Sequence, residues 1–202
     1  LDDSWAAEIS RLRAQAYRKF GDDLKNPSTL NFGPTDRKNL NLGVLENRKL
    51  VSVLRIEKHL DLETLKLSLQ NTVSPSRLPT AVLSRAATAE NFKNCGYGML
   101  LRKVAIEALI KAGYGEVFGT FKSSARRKQF LESIGYKTHS SDQKWADFLL
   151  SEEPVTLARL DLATDGPSAL RKLEEISNDT ARDFESQALS SLVAEIVVFL
   201  KA

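Results

Sequence analysis

The chain has 202 residues, of which 42% are hydrophobic and 27% are charged, and its formal net charge at pH 7 is +3. This is the composition of an ordinary folded protein, so it argues against a disordered chain and gives no reason to expect a nucleic-acid partner. One cysteine excludes an intramolecular disulfide framework, and two histidines without a Cys/His cluster argue against a zinc site. We expect a metal-free cytoplasmic protein without stable membrane insertion, because no apolar run reaches about 20 residues.

The first half of the chain alternates helix, loop and strand signals. Apolar residues at helical spacing predict a helix over residues 5–21, which ends at a glycine and is followed by a polar loop. Two β-patterned runs flank the turn Glu46–Lys49 and predict a hairpin. Residues 80–88, TAVLSRAAT, predict a further strand.

The second half continues the alternation. It predicts an amphipathic helix over Met99–Ala112, a strand over 116–121, a helix over 124–135, two strands joined at Glu152–Pro154, and two helices after Pro167. The last helix has a predicted apolar face of Phe184, Ala188, Leu192 and Ile196. Interleaved strands and helices indicate an α/β fold, a mixed central sheet flanked by helices. We expect a domain over residues 1–165 with a C-terminal helical extension over 166–202.

Two glycines, Gly96 and Gly98, lie in a polar turn where the helix Met99–Ala112 is about to begin. Glycine weakens a helix by about 1 kcal/mol relative to alanine, so this placement calls for a reason. A turn from a strand into a helix directs unpaired amides and the positive end of the helix dipole to one point, which suits a phosphate group. Glycine would let the anion approach closely. The alternative is that both glycines serve only a tight turn.

The sequence from Leu83 to Phe121, LSRAATAENFKNCGYGMLLRKVAIEALIKAGYGEVFGTF, resembles the core of the GNAT acyltransferases. That family has a strand, a polar turn, a basic-or-Gln-x-x-Gly-x-Gly/Ala loop, a long helix and a following strand. Lys93, Gly96 and Gly98 occupy the loop positions, with Lys93 where Arg or Gln is commoner. The order of elements matches over about residues 8–162, and the motifs are specific over 83–136.

A narrower resemblance rests on four short segments in order: RLRAQAYRKF, VLRI, LSR and PVTLARLDL. They are similar to segments of the long-chain N-acyl amino acid synthases and of the acyl-homoserine lactone synthases. The lactone synthases usually carry a glutamate three residues before the Ser-Arg arginine, where this chain has Val82. This difference argues against lactone synthesis.

The resemblance implies an N-acyltransferase in which an amine, such as an amino acid, attacks a phosphopantetheine thioester directly. The co-substrate would be acyl-CoA or an acyl group on an acyl carrier protein; a carrier-protein partner and a homodimer are left open. The strand would pair with the pantetheine arm, and the turn would bind pyrophosphate. The implied donor-binding residues are Ala86, Ala87, Thr88, Lys93, Asn94, Cys95, Gly96, Tyr97, Gly98 and Met99.

For the chemistry, Glu57 or His59 could relay the amine proton through water, and the leaving thiolate could take a proton from water or from a hydroxyl such as Ser84 or Ser124. Arg55 and Arg85 are candidates to bind an acceptor carboxylate. The alternatives are that Glu57 is solvated, that neighbouring His59 begins a loop, and that the arginines form salt bridges.

Leu131 occupies the position of the tyrosine that usually protonates the leaving thiolate in the family. The alternative function is therefore a catalytically degenerate GNAT fold that senses acyl-CoA or serves as an interaction module.

Overall fold

The computed structural model describes residues 1–18, 27–69, 74–122, 125–140, 155–181 and 186–202. Within them, six strands form one mixed sheet in the order β1-β2-β3-β4-β6-β5. Every neighbouring pair is antiparallel except β3 and β4, which are parallel. The strands are β1 (Leu40–Glu46), β2 (Lys49–His59), β3 (Thr80–Thr88), β4 (Glu116–Lys122), β5 (Lys137–Ser140) and β6 (Val155–Asp161).

The helices of the described residues surround this sheet, which confirms the predicted α/β class. They are α1 (Ala6–Tyr17), α2 (Pro34–Arg37), α3 (Leu62–Ser68), α4 (Tyr97–Ala112), α5 (Ala125–Ser133), α6 (Gly166–Ala181) and α7 (Ser186–Lys201). In the described part of the chain, none is both long and apolar enough to cross a bilayer.

Three short elements, α2, α3 and β5, were not predicted, and one predicted strand cannot be compared. The stretch that contains α2 was expected to be a polar loop. At seven and four residues, α3 and β5 are too short to show a clear period. What begins α3 is a cap, because the Asp61 side chain accepts a hydrogen bond from the Thr64 amide at 2.8 Å. Of the two strands predicted around Glu152–Pro154, the second is β6, and the first lies in residues 141–154, outside the described ranges.

One face of the sheet is covered by α4, which in turn packs against α6 and α7. The buried residues of α7 are Val193, Ile196 and Leu200, which join the same apolar core as Leu173 of α6. The predicted face of the last helix was therefore partly wrong, since Ala188 is exposed. The buried face of α7 is set by its contact with α4, which the sequence of α7 alone does not show. Phe184, like Ser124, lies outside the described residues.

The opposite face of the sheet is covered by α1 and α3 at two separate places. Ile9 and Leu12 of α1 pack near Val53 and Ala87, and Leu65 of α3 packs near Val82 and Phe118. Side chains alternate along a strand, so the residues of β2 that share this face with Val53 are Arg55, Glu57 and His59. A row of polar groups therefore lies on the sheet face that α1 and α3 share.

Candidate active site

The strand β3 loses one of its two neighbours partway along its length. Its first three residues, Thr80–Val82, pair with Glu116–Phe118 of β4, and among the described residues no later pair joins these strands. On its other side β3 stays paired with β2 as far as Thr88. The two parallel strands therefore diverge beyond Val82, and we call the gap between them the cleft. Along it, Leu83–Thr88 has no strand partner on this side among the described residues.

A β-bulge lies in the same stretch. Ser84 pairs with Arg55 and Ala87 pairs with Val53, so two residues of β3 lie opposite the single residue Leu54. The first of them, Arg85, has φ +54°, a left-handed conformation that is uncommon for a residue with a side chain. The bulge therefore leaves Arg85 without a paired residue on β2 and interrupts the regular ladder of β3 beside the cleft.

At the far end of the cleft, the two glycines of the turn have different roles. Gly96 is the residue before α4 and has φ +79°, which requires glycine-like freedom. Its carbonyl accepts hydrogen bonds from the amides of Met99 at 2.9 Å and Leu100 at 3.0 Å. A Cβ on Gly98 would meet nothing closer than Thr88 Oγ1 at 3.8 Å. Gly96 is thus fixed by backbone geometry, whereas Gly98 leaves open space beside the end of β3.

The side chains of the turn are directed to partners within the protein. The Tyr97 ring is buried, and its hydroxyl donates to Glu46 at the end of β1, which ties the turn to the β1–β2 hairpin. Lys93 Nζ is 2.5 Å from Glu90 Oε2 in an exposed ion pair, and Cys95 is exposed. Of the residues expected to bind the donor, Tyr97 can therefore offer its backbone amide but not its hydroxyl.

Two residues that sequence analysis missed, Arg13 and Asp36, fix the position of Arg55. Asp36 Oδ1 accepts from Arg13 Nη2 at 2.8 Å and from Arg55 Nη1 at 3.2 Å. Arg13 is fully buried. Burial raises the pKa of Asp36, but Arg13, the Gly33 amide and Arg55 together lower it by more and hold that pKa below its usual value. Arg13 follows Ile9 by four residues on the apolar side of α1, the one sequence signal that could have indicated it.

Glu57 and Ser84 are in direct contact. The Ser84 hydroxyl donates to Glu57 Oε1, which also accepts from Arg55 Nη2 at 2.7 Å. Arg55 Nε lies 3.0 Å from Ser84 Oγ, and Ser68 Oγ donates to Glu57 Oε2 at 3.3 Å. Burial would raise the pKa of Glu57, but Arg55 and Ser84 lower it by more, so the carboxylate is charged at neutral pH. Glu57 is buried and paired rather than solvated, and Arg55 forms the salt bridges that the sequence left open.

Arg85 contrasts with Arg55 in having an unmatched donor. Within the described part of the chain, its buried Nη1 has no hydrogen-bond partner. Burial, Arg55 and Arg13 all lower the pKa of Arg85, although a guanidinium remains protonated in proteins. A buried donor without a partner costs about 1–3 kcal/mol. Nε and Nη1 of Arg13 also have no hydrogen-bond partner among the residues described, but Arg13 is fully buried, so Arg85 is the more accessible of these two cations.

His59 is the last residue of β2 rather than the first of a loop, and it is 7% exposed. In the ranges that the structure describes, neither ring nitrogen has a hydrogen-bond partner, nor does the hydroxyl of Thr80 directly opposite. Burial lowers the pKa of His59, with Glu57 and Asp61 acting in the opposite direction. The imidazole is therefore neutral in the folded protein at neutral pH.

No protein-family model and no curated protein sequence matches this chain. Solved structures match its fold. BjaI, a CoA-dependent acyl-homoserine lactone synthase solved with SAM and isopentyl-CoA, matches with a TM-score of 0.60 and 17% identity over 83% of this chain and 79% of its own. FeeM, an N-acyl amino acid synthase from uncultured soil microbes, matches with a TM-score of 0.59 and 11% identity over 80% and 93% of the two chains.

An N-acetyltransferase from Staphylococcus aureus matches with a TM-score of 0.57 and 13% identity, covering 81% of this chain and 96% of its own. Three proteins described as acyltransferases or acyl synthases therefore share one fold with this chain. At these identities the likeness concerns the architecture. The chain has the GNAT fold that its sequence resembles.

Proposed function

We propose that the protein is an N-acyltransferase that moves an acyl group from a phosphopantetheine thioester to an amine bearing a carboxylate, such as an amino acid. The observation that carries this proposal is the edge of β3 over Leu83–Thr88, which has no partner strand in the described part of the chain and leads to the left-handed turn at Gly96 and the start of α4. An extended pantetheine arm can pair with a free strand edge, and a phosphate can bind at a helix N-terminus. The donor is acyl-CoA or an acyl carrier protein, which share this arm.

The acceptor carboxylate would bind at Arg85. The buried Nη1 of Arg85 has no partner among the described residues, whereas the guanidinium of Arg55 is bonded to Asp36 and Glu57. A carboxylate would supply the missing acceptor and balance the charge. This divides the two predicted arginines: Arg85 binds the acceptor, and Arg55 positions Glu57 and Ser84. BjaI was solved with SAM, which carries both an amine and a carboxylate, so the fold accommodates such a molecule.

Ser84 and Glu57 would take the proton that the amine loses. The Ser84 hydroxyl donates to Glu57 Oε1, so its free lone pair can accept an N–H of the attacking amine. As the C–N bond forms, the amine proton passes to Ser84 and the Ser84 proton passes to Glu57. The lowered pKa of Glu57 keeps this acceptor deprotonated before attack.

The test is release of free thiol from acyl-CoA and acyl-carrier-protein donors of several chain lengths, with paired acceptors: amino acids and the same amines without the carboxylate. We expect transfer to the amino acids. In Arg85→Met, KM should rise at least tenfold for acceptors with a carboxylate and stay unchanged for those without one. Arg37→Met is the control, because Arg37 forms an exposed ion pair with Asp3. Transfer that ignores the carboxylate in wild type would contradict the assignment of Arg85.

One observation favours the alternative function, an acyl-CoA-binding module without catalysis. Leu131, at the position of the family's usual tyrosine, is 2% exposed and belongs to the main apolar core. The position therefore serves packing and offers no proton. Donor binding without thiol release under any donor and acceptor pair would select this alternative.

A further inference from the structure

The leaving thiolate of the proposed reaction needs a proton, and α5 does not supply one through Leu131. A different hydroxyl lies at the cleft. Tyr17, the last residue of α1, donates a hydrogen bond from its hydroxyl to the carbonyl oxygen of Ala86 at 3.3 Å. The rest of its side chain is half-buried and packs on the apolar cluster that includes Val53 and Ala87. The ring is therefore held by packing, while its hydroxyl reaches the bulge of β3.

The Ala86 carbonyl lies on the unpaired edge of β3. Ala89 donates its amide to Val51 O at 2.9 Å, and Ala87 pairs with Val53, so both direct their peptide groups toward β2. Neighbouring residues of a strand direct their peptide groups to opposite edges. Ala86 and Thr88 therefore face the side where β4 has diverged. The Tyr17 hydroxyl occupies the edge along which the donor arm would pair.

We propose that Tyr17 is the acid that protonates the leaving thiolate, an inference that rests on the proposed N-acyltransferase function. The amine attacks the thioester carbon, the C–N bond forms, and the tetrahedral intermediate collapses with cleavage of the C–S bond. The electron pair of that bond goes to sulfur, which takes the Tyr17 hydroxyl proton to give the free thiol. The tyrosinate regains a proton from water, and the amine proton leaves through Ser84 and Glu57, so the overall reaction releases no proton.

The arrangement separates the two proton transfers. Ser84 lies immediately before the bulge and is bonded to Glu57, while Tyr17 is bonded to Ala86 immediately after Arg85. The acceptor-side proton and the donor-side proton therefore have different carriers, Ser84 immediately before the bulge and Tyr17 at the second bulge residue, Ala86.

The test uses Tyr17→Phe, which keeps the ring and removes the hydroxyl. With acyl-CoA we expect kcat to fall by about 10²-fold or more, the usual range for loss of an acid catalyst. With an acyl ester of 4-nitrothiophenol, whose thiolate is stable without a proton, we expect the variant to match wild type. Stabilisation by non-hydrolysable acyl-CoA should be unchanged. Tyr136→Phe is the matched control, since that buried tyrosine hydroxyl is bonded to Arg102.

Two results would overturn the role of Tyr17 alone: an unaffected Tyr17→Phe with acyl-CoA, or an equal loss with both donors, which would show a structural effect. A wild type that transfers no acyl group from either donor would remove the proposed function and, with it, this role. The two failures are distinguishable because only the second involves the wild type.

Discussion

The two sides of the cleft beside β3 are built from different kinds of groups. On the proposed acceptor side, side chains of four elements meet in a network that joins Arg13, Asp36, Arg55, Glu57 and Ser84. On the proposed donor side, the available groups are backbone atoms: the turn at Gly96 and the edge of β3 that has no partner strand within the described ranges. A donor arm that is common to many reactions suits backbone recognition, whereas a particular acceptor requires particular side chains.

The largest loss of folding free energy is expected in the buried network, from Asp36→Ala. The substitution leaves Arg13 and Arg55 without their shared carboxylate, and breaking a buried ion pair in this way costs about 3–5 kcal/mol. The measurement is the free energy of unfolding in urea. Asp3→Ala is the control; because its pair with Arg37 is exposed, the loss should be under about 1 kcal/mol. Equal losses in the two variants would contradict the buried network.

On the donor side, the two glycines should respond differently to alanine. Gly96→Ala places a side chain at φ +79°, which costs about 1–2 kcal/mol. Gly98→Ala meets open space and joins a helix, so it should be neutral or stabilising by at most about 1 kcal/mol. Unfolding of both variants under the same conditions measures the difference. A larger loss from Gly98→Ala than from Gly96→Ala would contradict the left-handed conformation of Gly96 and the open space at Gly98.

A smaller effect, on the pH dependence of stability, is expected from His59 at the end of β2. Its pKa is lowered by burial, so the unfolded chain binds the proton more readily than the folded one. The contribution of neutral His59 to stability is complete above the unfolded pKa of about 6.5 and declines as the pH falls below it, by at most about 1.4 kcal/mol per pH unit. His59→Gln should reduce the slope of stability against pH between about 5 and 7.

The second histidine gives the matched control for this experiment. His139 is exposed on β5, so His139→Gln is the control for replacing a histidine by glutamine elsewhere in the fold. An identical slope in wild type and His59→Gln would mean that water or a partner already satisfies the buried imidazole when it is charged.

The two sides also differ in how far the sequence could predict them. The donor side is contiguous from Leu83 to Met99, so its strand, turn and helix follow from local pattern, and the resemblance falls on this segment. Apart from the pair Arg55–Glu57, which is two positions apart, the bonds of the proposed acceptor network join residues that are 19 to 29 positions apart, such as Asp36 with Arg55 and Arg55 with Ser84. No local pattern encodes such contacts. The residue types at Arg55, Glu57 and Ser84 suggested proton transfer and carboxylate binding. Their hydrogen bonds to one another depend on the register between β2 and β3.

Other features of the site depend on geometry that appears only in three dimensions. The bulge at Arg85 is a mismatch between two strands, and neither strand alone reveals it. Tyr17 reads in sequence as one more residue of an amphipathic helix, and its hydroxyl matters because α1 crosses the sheet beside that bulge. For Leu131, the sequence gives the residue type directly, and the structure adds that its side chain is buried in the main apolar core.

The proposed donor site at the turn before α4 is tested by thermal stabilisation with coenzyme A, acetyl-CoA and a long-chain acyl-CoA. Wild type is compared with Gly98→Glu. A ligand that binds only the folded state stabilises it by RT ln(1 + [L]/Kd). Gly98 has open space and an ordinary φ, so Gly98→Glu should fold while placing a carboxylate where the pyrophosphate would bind; Gly98→Ala controls for size. We expect stabilisation of wild type and Gly98→Ala that is lost in Gly98→Glu. Equal stabilisation of all three proteins, or of none, would contradict a CoA donor site at this turn.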